Sequence, residues 1–146
     1  MASNADVTKS RRRKSWCRLD LDEAVQASCP RAEGVGIAIV TSKAKPFAAR
    51  GLEVVGLEVD LLVGPKDAAR PKPAPDPVRF ALERLVVRAE RALMVGDAPS
   101  DLLAGRAAGV RTVAVGWTGL PRAELEACAP DHWVEVPGDL VTLATS

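Results

Sequence analysis

Five short apolar runs, most of them rich in β-branched residues, constrain the fold of this chain more than any other feature. They are VGIAIVTS (residues 35–42), VDLLVG (59–64), RALMVGD (91–97), RTVAVGW (111–117) and the weaker HWVEVP (132–137). Runs of this length without polar alternation read as strands covered on both faces. HWVEVP, with a charge inside it, reads as an edge strand. A helical stretch at 22–33 precedes the first run, and others lie between the runs at 45–55, 77–85, 100–108 and 121–127. Pro30 cuts the first of these short, and Gly109 supplies a C-cap for the fourth. Strand and helix in alternation specify an α/β domain with a mostly parallel sheet and right-handed crossovers.

In such a sheet the chemistry gathers past the carboxyl ends of the strands. Thr41 and Ser42 end the first strand, Asp97 ends the third, and Asp101 opens the helix after it. Lys72 lies between them in the stiff loop RPKPAPDP (70–77). Each residue alone has an ordinary reading. A threonine can end a strand, an aspartate can serve a turn or complement a helix N-terminus, and a loop lysine is usually solvated. Together, in order along the chain, they suit phosphate chemistry. Mg²⁺ is held by one or two carboxylates and the phosphate itself. Phosphoryl transfer is mostly positioning and charge neutralisation, which a hydroxyl and an ammonium supply.

Composition narrows the alternatives. The longest apolar run falls far short of the roughly 18 residues of a membrane span, and no apolar h-region follows the basic N-terminus. Cys17, Cys29 and Cys128 show neither disulfide nor metal spacing, and His132 is the single histidine. Scattered thiols of this kind fit a reducing cytoplasm. The net charge of +1 hides an asymmetry. Lys9, Arg11, Arg12, Arg13, Lys14 and Arg18 face a single acid, Asp6, within residues 1–18. That arm is expected to be basic and disordered, with residues 19–146 forming the domain. It carries no aromatic interleaving beyond Trp16, so nucleic-acid binding is disfavoured.

IVTSK, RPKPAPDP and MVGDAPSDLLAGRAAGV resemble the second, third and fourth motifs of the haloacid dehalogenase-like (HAD) superfamily. The flavour is that of phosphoglycolate phosphatase-like hydrolases, and VAVGWTG and PDHWVEVPGDL fit the last strands of that family. The resemblance covers roughly residues 22–145. It implies a Rossmann-like three-layer sandwich and Mg²⁺-dependent hydrolysis of a small phosphorylated metabolite. Thr41 would hydrogen-bond the transferring phosphoryl group, with the Ser42 backbone nearby. Lys72 would neutralise it and orient the nucleophile. Asp97 and Asp101 would hold Mg²⁺ directly or through water.

The same resemblance implies a nucleophile strand ending in Asp-x-Asp-Gly, lying between the TSK and GD strands, and a cap domain between the first two motifs. Neither is found in this sequence. WCRLDLDEAV (16–25) places Asp20 and Asp22 at the right mutual spacing, but Glu23 and Ala24 stand where the family has Gly and Thr or Val. Arg18 would also be a lone charge in a buried strand, costing several kcal/mol on the order-of-magnitude scale for desolvated ions. The residues favour Asp20 or Asp22 as a helix cap. The expected core is therefore incomplete, as if an N-terminal part had been lost or replaced. Its two inner strands then close up, take up residues 15–19, or accept a partner's strand, which favours association into a homo-oligomer. Two functions stand: a phosphomonoester phosphatase using Asp20 as a makeshift nucleophile, or an inactive remnant that binds phosphate and Mg²⁺ or a protein partner.

Overall fold

The computed structural model describes residues 34–57 and 59–146. The expected helix at 22–33, the basic arm, Asp20 and Asp22 lie outside the described residues. The elements run β1 (Ala38–Val40), α1 (Lys45–Val54), β2 (Leu61–Val63), α2 (Asp76–Leu85), a 3₁₀ turn (Ala89–Arg91), β3 (Leu93–Gly96), α3 (Pro99–Ala108), β4 (Arg111–Val115), α4 (Arg122–Glu126), β5 (His132–Val134) and α5 (Gly138–Thr145). Each strand falls inside one of the five apolar runs. The last helix was not expected from the sequence. It has eight residues, and its apolar members contrast too little with their neighbours to announce a face.

Every described strand pairing is parallel. Among the described residues the strands do not pair into one sheet. β1 pairs with β2, and β3, β4 and β5 form a separate three-stranded sheet with β4 at its centre. Of the three outcomes expected for the two inner strands, direct closing-up is not what the described residues show, since β1 and β3 share no ladder, and residues 15–19 lie outside the described residues. Lys72 instead ties the end of β1 to the start of α3, and α2 packs against both strands of the first sheet and against α3.

The three-layer arrangement follows from the two-residue period of the strands. In β4, Ala114 points toward Leu102 of α3 and Leu125 of α4, with Cys128 and Trp133 completing that cluster. Val113 and Val115 point the other way, onto Val134 and onto Leu140 and Leu143 of α5. A third cluster packs Val78 and Leu82 of α2 on Ala104 of α3 and Met94 of β3. The helix starts are set by proline in the first turn of α1, α2 and α3, where a missing N–H is harmless. The expected C-cap of α3 is present, with Gly109 left-handed at φ 81°. α2 ends less comfortably, with Val86 left-handed at φ 55°.

Candidate functional site

The TSK corner is built by the end of β1. Thr41 continues the pairing by donating its N–H to the Val63 carbonyl at 2.9 Å. Its hydroxyl oxygen accepts the Lys43 N–H at 3.1 Å, a local turn bond typical of threonine. That bond uses a lone pair and leaves the hydroxyl proton free to donate. Ser42 follows, exposed. Thr41, Ser42 and Lys72 line one shallow cleft together with Gly64, Pro65 and Pro71.

The loop that carries Lys72 is clamped at its base. Arg70 grips Asp76 with two parallel bonds of 2.7 and 3.0 Å, the bidentate fork that suits a guanidinium and a carboxylate. Asp76 also opens α2, and Arg70 holds its carboxyl below the ordinary carboxylate value. Within the loop, the Ala74 N–H bonds back to the Pro71 carbonyl. Lys72 is thereby aimed inward. Its ammonium donates to the Val40 carbonyl at 2.9 Å and to Asp101 Oδ1 at 2.5 Å. Both side chains of the ion pair are about nine-tenths buried, with 10% and 11% exposed. An ammonium has three donors, so one remains for a ligand in the cleft.

β3 ends in Gly96, whose missing side chain matters. A Cβ there would collide with Cβ of Asp101, which lies across it. Gly96 is therefore the residue that lets Asp101 fold back from the first turn of α3 toward Lys72. Asp97 stands beside it, exposed, at the strand end. The structure thus gathers Thr41, Ser42 and Lys72 around one cleft and brings Lys72 to Asp101, while Asp97 lies one residue beyond the glycine that seats Asp101.

Some supporting residues escaped the sequence reading. Asp67 accepts the Gly64 N–H at 2.7 Å and pairs with Lys45 at 2.6 Å, pinning the cleft's far wall to the start of α1. The hydrogen bond from Lys45, then that from Gly64, lowers the Asp67 carboxyl from its ordinary value. An Asp three residues after a strand-end Gly was the available signal. Thr118, on the loop after β4, donates its hydroxyl to the Asp97 carbonyl at 2.8 Å. No local sequence pattern links residues 21 positions apart.

Oxygen donors at one strand end suit Mg²⁺, which tolerates few protein ligands and keeps several waters. Among the described residues no group of three His, Cys, Asp or Glu side chains forms a cation site. Asp97 is an exposed carboxylate, and Asp101 keeps its second oxygen. Asp101 has committed one oxygen to Lys72. The donor set fits an ion held by Asp97, by water and by the phosphate it serves.

Parallel strands under covering helices, with hydroxyl, ammonium and carboxylate side chains at and after the strand ends, define a class of α/β protein. Residues 23–115, more than half of the chain, match the family model of haloacid dehalogenase-like hydrolases. The chain belongs to that family. A relative from Caldanaerobacter subterraneus subsp. tengcongensis is 50% identical over 105 residues, covering 70% of this chain and 48% of its own length. Pyrophosphatase PpaX of Bacillus mycoides is 41% identical over 113 residues, covering 76% of this chain and 53% of its own. The chain spans about half the length of these curated relatives. Among solved structures, a hydrolase from Pseudomonas syringae superposes with a TM-score of 0.72 at 27% identity, covering 84% of this chain and 60% of that one.

Proposed function

We propose that this chain carries the phosphoryl-binding and Mg²⁺-binding rim of a Mg²⁺-dependent phosphohydrolase. The observation that carries the reading is the convergence of Thr41, Ser42 and Lys72 on one cleft, with Lys72 joined to Asp101. A phosphoryl group in that cleft would accept the free Thr41 hydroxyl proton and the third Lys72 donor. The ion pair with Asp101 and the bond to the Val40 carbonyl hold the ammonium in place as charge develops, so little reorganisation is needed. Asp97, with Asp101 directly or through water, would hold Mg²⁺, which would supply further neutralisation of phosphate oxygens. The proposed substrates are a small phosphomonoester, as the family motifs imply, and pyrophosphate, which the name of the Bacillus relative suggests. No described helix is long and apolar enough to cross a membrane, and the reduced-thiol reading of the cysteines supports a cytoplasmic site of action.

The test is phosphate release from pyrophosphate and from a generic phosphomonoester, with and without Mg²⁺. The chain is compared with Asp97→Asn, Thr41→Val and Asp20→Asn, each first shown to be folded by circular dichroism. Mg²⁺-dependent turnover lost in the first two variants supports the phosphatase reading, and its further loss in Asp20→Asn makes Asp20 the nucleophile. Saturable Mg²⁺ and phosphate binding without turnover supports an inactive binding domain. A folded chain that does neither overturns both.

A further inference from the structure

We infer that Thr118 is a positioning residue for Asp97, acting on the backbone of the candidate Mg²⁺ ligand from the loop between β4 and α4. The inference rests on the reading of Asp97 as that ligand. The peptides on either side of Asp97 are fixed by regular structure. Gly96 is held in register with Ala114 by the β3–β4 ladder. The Ala98 carbonyl accepts the Asp101 N–H at 3.1 Å as α3 begins. Asp97 sits between ladder and helix, belongs to neither, and has its carbonyl taken up by the Thr118 hydroxyl at 2.8 Å. A carboxylate projects from its own backbone, so an anchor on the Asp97 carbonyl fixes the platform from which its side chain reaches and narrows the space its rotamers can sweep.

The hydroxyl is used in both directions. Its oxygen accepts the Leu120 N–H at 3.2 Å while its proton goes to Asp97. The loop is thus folded into a short turn around the same atom that clamps the strand end. Packing gives Thr118 little other reason to be where it is. Its neighbours Trp117 and Leu120 are 50% and 40% exposed, so the loop is not seated in the core. Thr118→Val keeps the shape and removes the anchor. Thr118→Ser keeps the hydroxyl and removes a methyl.

The test uses the full chain, with Mg²⁺ alone as the probe in a calorimetric titration and Asp97→Asn as the site control. Thr118→Val is expected to weaken Mg²⁺ binding about fivefold, the loss of one ordinary hydrogen bond, and Thr118→Ser to recover most of it. In the metal-free chain, amide exchange across residues 96–101 is expected to quicken in Thr118→Val and not in Thr118→Ser, while residues 111–115 stay protected. Equal Mg²⁺ affinity in all three, or equal weakening in Ser and Val, overturns the positioning role. So does exchange that rises throughout the protein, which would mark a general loss of stability. A parent chain that binds no Mg²⁺ overturns the reading of Asp97 instead, and the exchange comparison then decides the anchor alone.

Discussion

Breaking the Lys72–Asp101 pair is the most informative perturbation of the fold, because this pair spans two sheets that share no ladder among the described residues. Surface ion pairs contribute roughly 0–1 kcal/mol, whereas removing one partner of a buried pair costs about 3–5 kcal/mol. With 10% and 11% of the side chains exposed, this pair lies near the buried limit. Lys72→Met leaves the Asp101 carboxylate pressed against Gly96 without its ammonium, and leaves the Val40 carbonyl without its donor. About 3 kcal/mol is expected, roughly two orders of magnitude in the folding equilibrium. The second partner can be removed as Asp101→Leu, close to isosteric. If the penalty comes from an orphaned charge, the double variant is more stable than Lys72→Met, by about 2 kcal/mol or more. Urea unfolding followed by far-ultraviolet circular dichroism measures all four proteins, and an unchanged m-value shows that the comparison is sound. A Lys72→Met cost below about 1 kcal/mol, or single costs that simply add in the double variant, would refute the idea that the pair bolts the two sheets together.

Three further outcomes follow from particular contacts. Asp131 accepts the N–H and the hydroxyl of Thr112 at 2.7 and 2.9 Å, and Thr112 is 3% exposed, so Asp131→Ala should cost about 1–2 kcal/mol in thermal or urea unfolding. The Thr112 backbone bond, followed by its hydroxyl, lowers the Asp131 carboxyl from its ordinary 3.8. Its ionised form therefore stabilises the fold fully above that pH, and the gap between the chain and Asp131→Ala should narrow as pH falls below it. A constant gap down to the lowest pH at which the protein folds would contradict this. Gly105→Ala gains about 1 kcal/mol of helix propensity, but its Cβ would sit 2.7 Å from Cβ of Met94 and 3.0 Å from Cγ2 of Thr112. Overpacking of about 1–3 kcal/mol should win, and a variant with a raised melting temperature would show that α3 can lift off the sheet cheaply. Val86 is left-handed, β-branched and 90% exposed. Val86→Gly should stabilise the chain by about 1 kcal/mol, since it relieves the backbone and sacrifices no packing. No change in the urea midpoint would argue against strain there.

Much of this molecule was legible because its signals are local. A strand of a parallel sheet is a short apolar run, and all five strands lie inside such runs, although only β4 is buried almost throughout and the others are partly exposed. Thr41, Ser42, Lys72, Asp97 and Asp101 stand at the ends of elements or in the loop between them, positions that the alternation of strand and helix makes visible in the sequence. Gly109 announced its cap because a left-handed residue without a Cβ is nearly the only comfortable way to end that helix. Other features depend on partners distant in sequence. α5 is recognisable only once Val113, Val115 and Val134 give Leu140 and Leu143 something to cover. The pairing of the described strands as two sheets, the joining of Lys72 to Asp101 across 29 positions and the hold of Thr118 on Asp97 across 21 all belong to the same kind. Periodicity and turn chemistry are written within about one turn or one pleat of a residue, so the sequence by itself determined the strands, the helices α1 to α4 and the residue types that stand at their ends. Which donor meets which acceptor depends on how those elements cross, and only the tertiary structure decided that.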